Sequence, residues 1–258
     1  MDIASCVGIF FGWGMIIVGL IMEGGSVTDI VQVTAAIIVL GGTTGACLLQ
    51  FPPKTLIGAL LGLKSVFLGE KTDSVALIQQ IVEFARRARR EGILALEKEV
   101  PNISDPFFSK ALTMAVDGLE PKTLFETMET EMQTVEEEWK HKGEVWEAAG
   151  GYLPTVGIIG AVLGLIQVMK DLTDIEKVGH GIAVAFVATV YGVGAANLIC
   201  LPIAGKIHST GKKIAKYKDM ALKGVLLIQE GINHSIIEEE LKGYLDEKTR
   251  AQLAVKKE

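Results

Sequence analysis

The chain has 258 residues, of which 49% are hydrophobic and 22% charged, and its formal net charge is -6. Mean hydropathy is +0.38 and the isoelectric point lies near 5.4. Such a mixture excludes one soluble core, because the charges are segregated between long uncharged runs, and the acidic balance argues against general nucleic-acid affinity.

The first uncharged run covers 3–22, between Asp2 and Glu23. It meets the length of about 20 apolar residues that a helix needs to cross a bilayer. No positive n-region precedes it and no A-x-A site follows, so it reads as a retained span rather than a cleaved signal. A second run covers 30–53. Residues 54–147 then carry charges throughout. Within them, Lys54–Gly69 is short for a span and holds Lys64, so it reads as an interfacial helix on the inner leaflet. Asp73 can cap a helix through Ile78, Ile81, Val82 and Ala85 to Glu99, broken by Pro101 and Pro106. A further helix covers Phe107 to Val116 and ends at Gly118. Pro121 suits the first turn of a long acidic helix to Glu147, which lacks a breaker before Gly150 and so can run on towards the third span.

The third and fourth uncharged runs are 148–169 and 178–205, with His180 the one titratable group in the fourth. Residues 206–258 form a Lys-rich tail, expected to be helical from Lys206 to about Tyr244. Positive residues near span ends stay cytoplasmic. Lys54, Lys64, Lys71, Lys206, Lys212, Lys213, Lys216 and Lys218 therefore place the middle region, the tail and both termini inside. The expected fold class is an all-α membrane protein: four transmembrane helices, a large helical cytoplasmic region between the second and third, and a helical C-terminal tail.

In the third run, Gly157, Gly160, Ala161 and Gly164 recur at steps of three and four, so another helix can approach along that face. Pro154 frees the carbonyl of Gly150, and Pro202 frees that of Leu198. Thr155, Thr189, Tyr191 and Asn197 lie near these prolines. The ordinary alternative is that membrane helices tolerate proline and that Thr bonds its own backbone.

No Asp, Glu, Lys or Arg lies inside any run. An ionisable side chain at mid-bilayer costs about 2.5–3.5 kcal/mol and usually marks an ion route. If this chain moves ions, a second chain must bring the titrating group; otherwise it is a membrane anchor alone. Arg86, Arg87, Arg89 and Arg90 precede Glu91, Glu97 and Glu99. On one helix Arg90 and Glu97 would share a face, with Arg89 close by. The plainer reading is a solvated face with Glu83 paired to Arg87. Residues 205–213 are a poor match to a phosphate loop, with five residues between the glycines and Lys213 where Ser or Thr is needed. The four histidines have no ligand spacing. Cys6, Cys47 and Cys200 all fall in apolar runs without a CxxC, and read as buried free thiols. Neither an enzyme nor a bound metal or cofactor is expected.

Residues 147–166 (EAAGGYLPTVGIIGAVLGLI) resemble the third span of MotA-type flagellar stator subunits, within the MotA/TolQ/ExbB proton-channel superfamily. Residues 181–198 (GIAVAFVATVYGVGAANL) resemble their fourth, 89–97 (RREGILALE) their cytoplasmic motif and 229–233 (QEGIN) their tail. TolQ and ExbB proteins share the last two spans but have three in all. The resemblance implies a ring of five such chains in the bacterial inner membrane around two copies of a MotB-type partner. That partner is a single-span, peptidoglycan-binding chain that carries the essential Asp. Ion transit would then turn the ring against the rotor protein FliG. Carried over by motif, Arg89 and Glu97 match the rotor-contact pair, with Arg90 beside them, and Pro154 and Pro202 match the prolines of ion-coupled motion. Thr155, Thr189 and Tyr191 join this set by position alone. Sodium-driven relatives often carry Thr where this chain has Ala161, so the expected coupling ion is H+, with Na+ the alternative. The rival readings are a TolQ- or ExbB-like energiser of an envelope system and a non-conducting membrane scaffold.

Overall fold

The computed structural model describes residues 2–69, 72–170 and 172–250. Every regular element among them is helical. The helices are α1 (Ile3–Met22), α2 (33–50), α3 (Pro53–Leu68), α4 (Ser74–Glu91), α5 (Pro106–Val116), α6 (Pro121–Lys170), α7 (Ile175–Gln229) and α8 (His234–Lys242). Single π turns interrupt α2 at Ile37–Gly41 and α7 at Ala196–Cys200. Four of the helical segments are long and apolar enough to cross a membrane: Ile3–Met22, Val27–Gln50, and parts of α6 and α7.

The chain divides into two compact units, one within 1–70 and 138–210, the other within 71–137 and 211–258. The first holds α1, α2, α3 and the apolar stretches of α6 and α7. Asp2 caps α1, its carboxylate accepting from the Ser5 amide at 3.3 Å and receiving Lys206 as an ion pair. The hydrogen bond from Lys206 holds the Asp2 carboxyl below its ordinary range, with the Ser5 and Ala4 amides adding to it. α3 starts on Pro52–Pro53, where the missing N–H costs nothing. It buries Ala59, Gly62 and Val66 and leaves Ile57, Leu60 and Leu61 exposed. The Trp146 indole donates to Ala59 O at 3.1 Å, and the Asp2 amide to Phe67 O at 2.7 Å.

The second unit is a water-type core. Leu77, Ile78, Ile81 and Phe84 of α4 pack with Phe108 and Leu112 of α5, Leu124 and Met128 of α6, and Met220, Leu222 and Val225 of α7. Phe84 and Phe108 stack with ring centroids 6.0 Å apart. Caps set the helix starts: Asp73 accepts from Val75 and Ala76, Asp105 from Phe108, and Asn233 from Ser235. Tyr244 donates to Asp219 at 2.9 Å. Burial, then this bond to a carboxylate, pushes its phenol up to about 12.

Several expected boundaries move. The helix expected to reach Glu99 ends at Glu91, because Gly92 turns left-handed at φ +81°. A 3-10 stretch, Ile93–Lys98, follows. The charges sit one residue after another at that stop, with Arg89 and Arg90 in the last turn, where cations suit the helix C-terminus. The tail expected to be helical to Tyr244 stops at Gln229, turns at Gly231 (φ +71°) and restarts at His234. The second span is helical over 33–50 rather than 30–53, since Pro52 and Pro53 begin the next helix. The continuity expected from the missing breaker before Gly150 is found: the acidic helix from Pro121 runs without interruption through Lys170, and α7 likewise begins at Ile175 and passes 205 without a break. α5 starts one residue early, on Pro106. Cys47 and Cys200 are buried free thiols as expected, but Cys6 is only half-buried. Lys71, one of the expected inner positive charges, and the last residues of the expected tail, 251–258, lie outside the described residues.

Candidate functional site

Two groups of residues were singled out in the sequence, and each falls within one unit. The first is the crossing of α6 and α7 in the apolar unit. The face predicted from Gly157, Gly160 and Gly164 does receive another helix, and it is α7. A methyl added at Gly157 would meet Ala188 O at 3.0 Å and Gly192 Cα at 3.3 Å. At Gly164 it would meet Gly181 O at 2.7 Å and Ala185 N at 2.9 Å. At Gly192 it would meet Leu153 O at 2.5 Å. The contact is therefore backbone on backbone, which lipid-embedded helices reach only through small residues. The receiving face on α7, Gly181, Ala185, Ala188 and Gly192, was missed in the sequence although its spacing of four, three and four carries the same signal.

Pro154 sits inside an uninterrupted α6. Gly150, whose carbonyl it frees, is buried against α7: a methyl there would meet Leu201 Cδ2 at 2.6 Å and Cys200 Cβ at 3.7 Å. Leu201 immediately precedes Pro202, and Cys200 closes the π turn of α7. The structure thus brings the weakened turn of α6 against the weakened turn of α7. The other π turn, in α2, borders the same stretch, since a methyl at Gly160 would meet Ile38 Cγ2 at 3.4 Å and one at Gly42 would meet Val156 Cγ1 at 2.8 Å. π turns are rare and favour functional positions. Neither was anticipated.

The hydroxyls near the prolines have local partners. Thr155 is exposed and donates to Tyr152 O at 2.8 Å; Thr189 is half-buried and donates to Ala185 O at 3.2 Å. Tyr191 differs: its hydroxyl donates to Ile30 O at 2.6 Å and accepts from the Gln32 amide at 3.1 Å. It ties down the start of α2. Thr43 in α2 is buried with no hydrogen-bond partner for its hydroxyl.

The second group is the charged stop of α4. Arg87 binds both Glu91, at 3.3 Å, and Glu99. It does so in place of the expected Glu83 pairing, because the turn at Gly92 folds Glu99 back to it. Arg89, Arg90 and Glu97 are exposed, and among the described residues no ion pair joins them. They are not on one helix face, since Gly92 lies between them. Arg87 with Glu91 and Glu99 ties this corner together, while Arg89, Arg90 and Glu97 face solvent.

Comparison with known proteins follows the same order along the chain. Residues 6–92 match the family described as Motility protein A N-terminal, and residues 99–220 the MotA/TolQ/ExbB proton channel family. The chain is 32% identical over 255 residues to Motility protein A of Bacillus subtilis (strain 168), covering 98% of this chain and 94% of that protein. It is 31% identical over 251 residues to Chemotaxis protein PomA of Vibrio alginolyticus, covering 97% and 98%. Its fold superposes on a chain of the flagellar MotAB stator complex from Bacillus subtilis with a TM-score of 0.92 at 32% identity, covering 98% of this chain and 100% of that one.

Proposed function

The chain belongs to the MotA/TolQ/ExbB proton channel family, and we propose that it is the A-type subunit of a flagellar stator, which with a MotB-type partner passes ions and turns a rotor. The observation that carries this reading is the near full-length likeness to motility protein A. The separate match of residues 6–92 favours the stator over a TolQ- or ExbB-like energiser. The protein is a multi-pass protein of the bacterial inner membrane, assembled as a ring of several copies, five by family resemblance.

The chemistry follows from what the spans lack. With no Asp, Glu, Lys or Arg inside them, this chain supplies a wall, and the partner's carboxylate supplies the group that takes and releases the ion. When that carboxylate changes charge, the wall must move. The Gly157–Gly192 backbone contact can slide without side chains to unlock, and the paired weak turns at Gly150–Pro154 and Cys200–Pro202 give it places to bend. We assign Thr155 and Thr189 to the ion path by their position beside this crossing, where their hydroxyls now bond the local carbonyls of Tyr152 and Ala185. Tyr191 anchors α2 so that the bend is not dissipated there. Protons are the coupling ion, because Ala161 offers no oxygen to a dehydrated Na+. The middle region, the tail and both termini face the cytoplasm, where Arg89, Arg90 and Glu97 meet FliG across solvent, a contact steered by charge and weakened by salt.

Arg89→Glu combined with Glu97→Lys tests the rotor contact. Swimming torque falls while the purified complex keeps its size; normal swimming would refute the assignment. Swimming speed that ignores a sodium series but collapses with a protonophore supports protons, and the converse result assigns sodium.

A further inference from the structure

The apolar unit contains a cavity of about 400 Å³ where the first turns of α1 meet the end of α3 and the bent part of α7. Gly8, Val66, Phe67, Leu198 and Ile203 form its apolar walls. Ser5, Asn197 and Lys206 add polar groups. α1 touches the π turn of α7 higher up, where a methyl at Gly12 would meet Leu198 Cδ2 at 3.4 Å, and the space below is left open in part because Gly8 has no side chain: a methyl there would meet nothing within 4 Å. Gly8, Asn197 and Pro202 are exposed in the single chain, so the cavity is open at the side of the spans rather than enclosed. Its depth is that of the charges that end the first and fourth runs, where lipid headgroups lie.

At the rim, Lys206 is paired with Asp2, and the pair is neutral overall. Lys206 has three donors and gives one to Asp2; Asp2 has two oxygens and also accepts the Ser5 amide. A purely anionic ligand would gain Lys206 and face the Asp2 carboxylate. A headgroup with both a phosphate and a primary ammonium meets each charge with its opposite. We propose that this cavity is a lipid site selective for phosphatidylethanolamine, its phosphate on Lys206, its ammonium on Asp2 and one acyl chain against the Gly8–Ile203 wall. The site does not depend on the stator reading, and its failure leaves the torque test untouched.

The complex purified in detergent is stripped of lipid and titrated with short-chain phosphatidylethanolamine, phosphatidylglycerol, phosphatidylcholine and inorganic phosphate, with the thermal midpoint as readout. Phosphatidylethanolamine should bind about tenfold tighter than phosphatidylcholine, whose quaternary ammonium has no N–H to give Asp2. Asp2→Asn, which keeps the α1 cap, and Lys206→Gln should each remove that preference. Gly8→Trp should fill the cavity and abolish binding. Equal binding of the three lipids, preference for phosphatidylglycerol, an equal shift with inorganic phosphate, or unchanged binding by Gly8→Trp would overturn the proposal. Loss of the oligomer in Gly8→Trp would overturn it too, by marking the cavity as the seat of a second copy.

Discussion

The two units of this chain solve the same packing problem in opposite ways. Around Phe108 the charged unit buries large side chains, and its cohesion comes from removing them from water. Between α6 and α7 the apolar unit removes side chains instead, so that backbones touch at Gly157, Gly164, Gly181 and Gly192. In lipid there is no gain in hiding one apolar surface from another, and close approach is what remains. The first arrangement is fixed by the shape of its contents. The second has almost nothing to interlock, which suits the shifting wall that we propose.

Deletion should therefore damage one unit and addition the other. Phe108→Ala removes a fully buried ring stacked on Phe84 and should cost about 3–5 kcal/mol, read as a lower unfolding midpoint of the charged unit. Gly192→Ala adds a methyl 2.5 Å from Leu153 O and 3.1 Å from Gly157 Cα, backbone atoms of α6 that cannot swing aside. It should cost about 1–3 kcal/mol and abolish swimming, whereas Gly151→Ala, in open space, should do neither. Equal effects at Gly151 and Gly192 would mean that helix propensity, not the crossing, is being measured. A smaller effect of opposite sign is expected at Thr43. Replacing its buried, unpartnered hydroxyl by Thr43→Val should stabilise the complex by roughly 1 kcal/mol; a loss of that size would reveal a water or ion bound there.

The last effect is confined to alkaline pH. The Tyr244 phenol is held up to about 12, above its ordinary value near 10. A group whose pKa is raised on folding lends stability that is whole below the unfolded value and disappears as pH rises through the folded one. Between about pH 10 and 12 the tail of the charged unit should loosen, and Tyr244→Phe should remove that step from an alkaline titration followed by tyrosinate absorbance. A step unchanged in Tyr244→Phe would assign it elsewhere.

What was legible in the sequence follows the same division. The four apolar runs could be read because solvent preference is a property of composition. The glycine face of α6 could be read because 3.6-residue periodicity exposes it. The stop at Gly92 is also written there, as two arginines in a last turn with a glycine after Glu91, and this capping signal overrides the helical spacing that would put Arg90 and Glu97 on one face. The π turns were not legible: no local pattern marks Ile37–Gly41, and its neighbours Gly160 and Val156 are more than a hundred positions away in the chain. Nor could Tyr191 be assigned to the backbone of Ile30, because the two are 161 positions apart and each looks ordinary by itself.

The account turns on the division of labour between an acid-free wall and a partner that carries the acid. Proton flux into vesicles tests it most directly, comparing this chain reconstituted alone with the same chain reconstituted together with an unplugged single-span partner. The account predicts no flux above the lipid background from the chain alone and a robust flux from the pair, lost when the partner's membrane carboxylate is replaced by its amide. Current through the chain by itself would contradict it.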